Sequence, residues 1–528
     1  MFVSFIKDAG LAIRGITITT EIRAYGKGFI GSPTFEVKTM AGTKREKTIV
    51  IDPGLNFKQY GKYFCEFLNP RSSVILSDLM TLDIIPATGW YRPDLVENAG
   101  RYRRRLKAGK KADLVLESHA HLDHIANSML IHPETVFVTS KPSYAIKQTL
   151  EVTNPRYKHL ITAPSGDEVI DREHILLDDR KKEHSLDDIV IEGWHVDHSV
   201  PGSMGFFIHT PDMVIMYTGD YQLDGSTRDK TLKFFKRGKE LAKEKPLLMI
   251  TEGTNIDEEE VPTEAYVRER LEETISSSTG LKVVSYPIRD LERFNSVNTT
   301  KGKNQFSIDL RQVYLLHRLW ELGCSKLTPA INPKAKDGIG DLLAEDLKVY
   351  VPRRMEGRIL KGAGAEESAK DFNRWARPFI EEGFDSYIVS AKDIKKNEGD
   401  YVMTVSGIYG LKEILDIMPK KRKATFIHSM TEPFDPEMEI DQEREMAWVN
   451  RFFGRCEAIH SSGHPASGEY IDMARYVNPK YIMPTHSENL DLFKQLLLKA
   501  GFKDEQILIP DSSMNKDNPI TLKRGRVA

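Results

Sequence analysis

Cysteine is scarce. The three in the chain, Cys65, Cys324 and Cys456, stand far apart and none belongs to a CxxC pair, which excludes a disulfide framework and a thiolate-rich metal site and suits a reducing compartment. Charge of one sign is missing too: 75 Lys and Arg against 77 Asp and Glu leave a formal net charge of −2. There is no global positive field, so any polyanion has to be met locally. Apolar runs of membrane-crossing length are absent, and the segment Met1–Ile13 is broken by Lys7 and Asp8 where a secretory leader has an uninterrupted apolar stretch. Neither a bilayer span nor a leader is expected, and the chain reads as cytoplasmic, with no membrane partner.

What is present is an ordinary globular composition, 40% apolar and 29% charged, over 528 residues. A chain of that length outgrows one hydrophobic core, so two units, or one unit carrying a large insertion, are expected. Short β-type runs fill the first half, among them Phe35–Lys38, Thr48–Ile51, Leu114–Glu117, Met213–Tyr217 and Leu247–Thr251, with polar residues recurring at their C-terminal ends. From Pro262 the texture changes. Thr263–Ile275 reads as a helix with Thr263 as its N-cap, Leu281–Tyr286 as a buried strand and Gln312–Leu322 as a helix. Cys456–Met483 returns to strand, loop, helix and strand with histidines in the loops, and Asn489–Ala500 is a last helix. The basic cluster Arg101, Arg103, Arg104, Arg105, Lys107, Lys110 and Lys111 reads first as a solvated helix face, with phosphate contact as the rarer alternative.

The chemistry is concentrated in Ser118-His119-Ala120-His121-Leu122-Asp123-His124. Histidine occurs only 15 times in the chain, yet three histidines and an aspartate share six positions directly after an apolar strand. Imidazole nitrogens and a hard carboxylate oxygen gathered in one loop are the ligand mixture that zinc prefers.

This H-x-H-x-D-H pattern resembles the metallo-β-lactamase superfamily. The resemblance implies that His119 and His121 hold one zinc ion while Asp123 and His124 hold another, with Asp123 also near the reacting water. Asp52, ending a strand before a Gly turn, is similar to the family's first acidic motif, which orients the metal loop. His198 in Asp197-His198-Ser199 resembles the third motif and completes the first zinc's ligands, and Asp220 in Thr218-Gly219-Asp220 resembles the bridging carboxylate. Glu252, His464 in Ser461-Ser462-Gly463-His464, and His486 in Pro484-Thr485-His486 are similar to the three motifs of the β-CASP nucleases. In that reading His486 joins the Asp123-His124 metal, His464 stands over the scissile phosphate, and Glu252 hydrogen-bonds to a metal ligand or holds His464 in position.

Within that group the chain is most similar to ribonuclease J. The implied fold is α/β, a metallo-β-lactamase αββα sandwich with an inserted β-CASP α/β domain, divided as 1–260, 261–447 (inserted) and 448–528. The implied activity is hydrolysis of single-stranded RNA, from the 5′ end, internally or both, with two zinc ions or manganese in their place. Single-stranded DNA and a homodimer stand as alternative partners. Arg293, in the basic segment Pro287–Arg293, and Ser406, Gly407 and Ser467 are the expected contacts to substrate phosphate. His195 and His460 are expected to be structural. Two rival activities are a DNA nuclease of the Artemis type, against which His486 speaks, and a lactonase or thioesterase, against which the long stretch from Pro262 to Glu445 speaks.

Overall fold

The computed structural model describes residues 19–25, 34–65, 67–332, 334–336, 341–350, 387–405, 407–418, 422–433, 436–510, 520–523 and 526–527. It is a mixed α/β protein with three large sheets.

An eight-stranded sheet begins with the terminal pair Arg526–Val527 and Ile520–Lys523. It continues through Thr19–Tyr25, Thr34–Thr39, Lys47–Ile51, Leu114–Leu116, Val136–Ser140 and His174–Leu177. Pairing is antiparallel as far as Lys47–Ile51 and parallel beyond it. A six-stranded sheet runs Tyr481–Pro484, Leu247–Thr251, Val214–Tyr217, Met204–His209, Ile189–His195 and Glu183–Leu186.

Alternate residues along these strands explain why the two sheets stack. Phe35, Val37, Ile49, Ile51, Leu114 and Leu116 of the first share one core with Ile189, Ile191, Phe206, Ile208, Leu248 and Ile250 of the second, the period-2 pattern of strands facing one another. The intervening residues of the second sheet, Phe207, Met216, Leu247, Met249 and Ile482, point the other way. They pack on Phe234, Phe235, Leu241, Tyr470, Phe493 and Leu497, which belong to the helices Arg228–Glu244, Ser467–Val477 and Leu490–Lys499. Strands covered on both faces have no polar side to show, which is why Leu247–Thr251 is buried throughout.

A third sheet of seven strands is parallel throughout. Its order is Ile388–Val389, Leu347–Tyr350, Gln305–Asp309, Tyr401–Val405, Lys282–Ser285, Thr425–His428 and Arg455–Ala458. The helix Glu264–Ser277 leads into it, and the Thr263 hydroxyl accepts from the Tyr266 amide as its N-cap. All of this lies between Thr251 and Tyr481 in sequence, yet Leu247–Thr251 and Tyr481–Pro484 are parallel neighbours with Thr251 opposite Pro484.

The stretch from Asn56 to Ala108 holds the helices Phe57–Gly61, Ile75–Thr81, Pro93–Glu97 and Arg103–Ala108, packed on a small core of their own that includes Leu76, Leu79, Met80, Val96 and Leu106. The basic cluster is exposed there. Arg103 and Lys107 pair with Glu97, Lys110 with Glu46 and Lys111 with Glu134. The solvated-face reading fits this; exposed pairs of that kind contribute at most about 1 kcal/mol each.

Candidate metal centre

The His-rich loop follows the strand Leu114–Leu116, at the C-terminal end of the parallel part of the first sheet, where side chains converge outside the strands. Two features of the neighbouring turn let it sit there. Asp52 adopts a positive φ of 47°, which turns its carboxylate towards the loop. Gly54 passes so close to Asp123 that an added Cβ would lie 1.5 Å from the Asp123 carbonyl oxygen, so any other residue would displace the loop.

Asp52 is fully buried and organises everything around it. Oδ1 accepts from the Ser118 amide at 2.7 Å, and Oδ2 accepts from the Ser118 hydroxyl at 2.6 Å and the Tyr217 hydroxyl at 2.7 Å. The same Oδ2 lies 2.8 Å from Nδ1 of His124. With its proton on Nδ1, His124 turns a lone pair on Nε2 towards Asp220 at 3.2 Å and Asp123 at 3.5 Å, and that buried nitrogen has no hydrogen-bond partner. Nitrogen and carboxylate lone pairs held that close, out of water, call for a cation between them.

The other half repeats the logic. Nε2 of His119 lies 3.0 Å from Nδ1 of His121, and Nε2 of His198 lies 3.3 Å from the same atom. His198 donates from Nδ1 to the Gly463 carbonyl at 2.8 Å, which leaves Nε2 as its acceptor. Burial pushes His119 and His121 well below the usual imidazole pKa, reinforced by neighbouring histidines, and pushes His198 down to about 4. Neutral imidazoles with converging lone pairs are what a metal needs.

Two groups of donors result, His119, His121, His198 and Asp220 in one and Asp123, His124, Asp220 and His486 in the other; within each the donor atoms lie within 4.8 Å of one another. Asp220 is common to both. The residues present therefore fit a pair of divalent cations sharing a carboxylate.

His486 comes from the far end of the chain. Its Nε2 lies 3.2 Å from Asp123 and its Nδ1 2.9 Å from the Thr254 hydroxyl. Glu252 and His464 form a separate pair beside the donors: Nδ1 of His464 stands 2.8 Å and 3.0 Å from the two carboxylate oxygens. Glu252 also accepts from the Tyr221 amide at 2.8 Å, the Thr254 hydroxyl at 2.7 Å and the Tyr470 hydroxyl at 3.0 Å. Burial opposes charging of His464, but Glu252 outweighs it and holds the imidazole up at about 9. The His464 ring lies 5.1 Å from His198 and 6.0 Å from His486, centroid to centroid, so its proton is carried at the edge of the donor cluster.

Arg293 corrects an expectation. It is 0% exposed, so it is not a contact to substrate: its guanidinium donates to Glu264, to Ser429, to the Ile459 carbonyl at 3.3 Å and to the Ser461 hydroxyl at 3.1 Å. It anchors the loop that carries His464. Ser467 opens the helix Ser467–Val477 with its amide on the Glu258 carbonyl at 2.8 Å. Gly407, at φ 61°, turns the chain after Tyr401–Val405, and neither it nor Ser467 belongs to the donor groups. Ser406 lies outside the described residues. His195 sits in the strand Ile189–His195 and His460 beside Arg293; neither is among the donors.

Sequence reasoning missed Tyr217, Thr254 and Tyr470, and the Gly463 carbonyl. Only proximity in sequence to Asp220, Glu252 and His464 signalled the first two and the last. It also missed Glu292, which accepts from Nε2 of Gln222 at 2.7 Å and the Ser226 amide at 2.8 Å and so ties down the Asp220 loop. Burial, with Glu264, Asp197 and Asp290 nearby, pushes its carboxyl up to about 7. A raised carboxyl stabilises the fold below its unfolded pKa near 4.5, and that contribution is lost as pH rises through 7, a swing of about 3 kcal/mol. Glu292→Gln is therefore expected to flatten the fall in thermal midpoint between pH 5 and pH 8.5. An unchanged pH dependence would show that Glu292 is not the titrating group.

No family model matches the chain. Among characterised proteins, ribonuclease J of Pyrococcus abyssi is 22% identical over 414 residues, 75% of this chain and 78% of that one. Ribonuclease J of Thermus thermophilus is 23% identical over 455 residues, 84% of this chain and 65% of that one, and ribonuclease J 2 of Streptococcus pyogenes 25% over 188 residues. The chain thus spans less than two thirds of these two bacterial relatives, 65% and 32% of their length. A crystal structure of a protein of unknown function from Enterococcus faecalis V583 superimposes with a TM-score of 0.65 at 20% identity, covering 96% of this chain and all of that one, a likeness of fold.

Proposed function

We propose that the chain is a ribonuclease J-like member of the β-CASP branch of the metallo-β-lactamase superfamily, a reading supported by its similarity to ribonuclease J proteins and by its paired donor groups, and that it is a metal-dependent nuclease hydrolysing phosphodiester bonds in single-stranded RNA. The observation that carries the reading is the pairing of two His and Asp donor groups, joined through Asp220, with a separate Glu252–His464 dyad at their edge. The αββα sandwich is supported by two sheets sharing one core with helices outside the second. The inserted domain is supported by the third sheet, which lies between two strands that are neighbours in the second. We extend it past 447, because the helix Pro436–Phe452 crosses that position and Arg455–Ala458 pairs with Thr425–His428.

We assign His119, His121 and His198 to one metal, Asp123, His124 and His486 to the other, and Asp220 to both. Imidazole and carboxylate donors without thiolate suit zinc, with manganese as the substitute. Bound there, the metals supply an activated hydroxide and a clamp on phosphate oxygens. The protein's own groups do the rest. Asp52 and the Gly463 carbonyl fix which nitrogen of His124 and of His198 is the acceptor. Glu252 keeps His464 protonated at neutral pH, so that the imidazolium donates to a phosphate oxygen or to the leaving 3′ oxygen. Tyr470 and Thr254 hold Glu252 from the other side.

The test is metal-replete protein incubated with 5′-monophosphorylated, 5′-triphosphorylated and circular RNA, before and after chelation. Chelator-sensitive cleavage is expected. Mononucleotides from the monophosphorylated RNA alone mean attack from the 5′ end, and a cut circle means internal cleavage. Protein that degrades neither RNA nor single-stranded DNA but opens a lactone or thioester overturns the assignment.

A further inference from the structure

We propose that Arg289 is a substrate-binding residue whose guanidinium donates to a non-bridging oxygen of the phosphodiester lying beside Asp123. The inference rests on the nuclease reading above.

Arg289 lies between the strand Lys282–Ser285 and the helix Leu291–Thr300, in a loop pinned to the donor loops on both sides. On one side Glu292 is hydrogen-bonded to Gln222 and Ser226, two to six residues past Asp220. On the other Arg293 holds Ser461, three residues before His464. Beneath, Ala120, Ile125 and Val200 of the donor loops share a core with Tyr286 and Leu291, which flank Arg289. The side chain so held sits where its charge acts on both His121 and Asp123.

Its Nη1 is buried and has no hydrogen-bond partner. Burial lowers its pKa, offset in part by Tyr157 and Asp123, but a guanidinium stays protonated in a protein. More than nine in ten buried polar groups have a partner, so a buried guanidinium nitrogen without one is an exception that a ligand oxygen would remove. The neighbouring arginine differs: both terminal nitrogens of Arg293 have acceptors, Glu264 and the Ser429 and Ser461 hydroxyls, and only its Nε is without one. Asp123 is near enough to act on the charge of Arg289 but Nη1 has no acceptor; the non-bridging oxygens of a phosphodiester match the planar fork and would supply one.

The experiment compares wild type, Arg289→Lys and Arg289→Met, all metal-replete, in kcat/KM on single-stranded RNA, in inhibition by inorganic phosphate and in bound zinc. Arg289→Met is expected to lower kcat/KM roughly 10–100-fold, the range for one lost charge-assisted hydrogen bond, and to weaken phosphate inhibition about as much, with zinc content unchanged. Arg289→Lys should keep the charge but only part of the effect. Wild type that cleaves RNA alongside an equally active Arg289→Met overturns the role of Arg289 alone. Loss of zinc in both variants overturns it too, marking a structural residue. Wild type that cleaves no phosphodiester overturns the nuclease reading, and this inference with it.

Discussion

Replacing His464 by alanine is expected to lower kcat for RNA cleavage by roughly 10²–10⁴-fold, the range for a positioned proton donor, while bound metal stays at the wild-type level. Both halves of that expectation come from geometry. His464 is outside the two donor groups, so its loss removes no ligand. Its imidazole is gripped through Nδ1 by Glu252, which leaves Nε2 with a proton to give. Glu252→Gln separates charge from shape. The amide keeps the shape and one of the two acceptor oxygens that Tyr221 on one side and Thr254 and Tyr470 on the other donate to, but the imidazole loses its counter-charge and returns towards its ordinary range. Since the active form is the protonated one, the alkaline limb of the pH–rate profile, set near 9 by the raised His464, moves to lower pH. Single-turnover cleavage across pH, with metal analysis of each variant, checks this. Undiminished kcat in His464→Ala, or metal lost with activity, would remove His464 from the chemistry.

Glu117→Ala is expected to destabilise the fold by about 3–5 kcal/mol, the range for stranding one member of a buried ion pair. Glu117 is the residue before Ser118, and its carboxylate meets Nζ of Lys147 at 2.9 Å and 2.7 Å with both side chains fully buried. Ser128 donates to the same carboxylate at 2.7 Å and His174 accepts from Lys147 at 3.1 Å. Burial alone pulls the Lys147 pKa down, and Glu117 opposes it; without Glu117 the ammonium has no counter-charge. The double variant Glu117→Leu with Lys147→Met removes both charges and should recover most of the loss. Urea unfolding of the three proteins decides the matter. A single variant within 1 kcal/mol of wild type would mean that water or His174 neutralises the lysine at no cost.

How far the sequence carries differs between strand, helix and centre, for physical reasons. Leu247–Thr251 was legible because four apolar residues and a β-branched threonine between turn signals have few other uses, and the Thr263 cap because a hydroxyl before a charged run marks a helix start. The donor loop was legible because its ligands are adjacent in sequence. The helices Arg228–Glu244 and Pro436–Phe452 were not, since they are rich in charged residues and owe their place to packing on the sheets. The second of them crosses position 447, where the sequence suggests the end of the inserted unit. Arg293 was misread because a basic residue near an active site looks the same in sequence whether it faces solvent or Glu264. The carboxylate cluster around Glu292 is a tertiary feature, drawn from segments that share no local pattern.

The neighbouring strands Leu247–Thr251 and Tyr481–Pro484 have a bearing on how the protein matures. Thr254 and His486 hydrogen-bond across 232 residues of chain, so a ribosome must release the chain through His486 before the donor group containing it is complete. The three histidines of the other group are all made long before. The two donor groups are thus completed in turn as the chain is made, and a product terminated within the third sheet would leave the ribosome with the residues of one group and without His486 of the other.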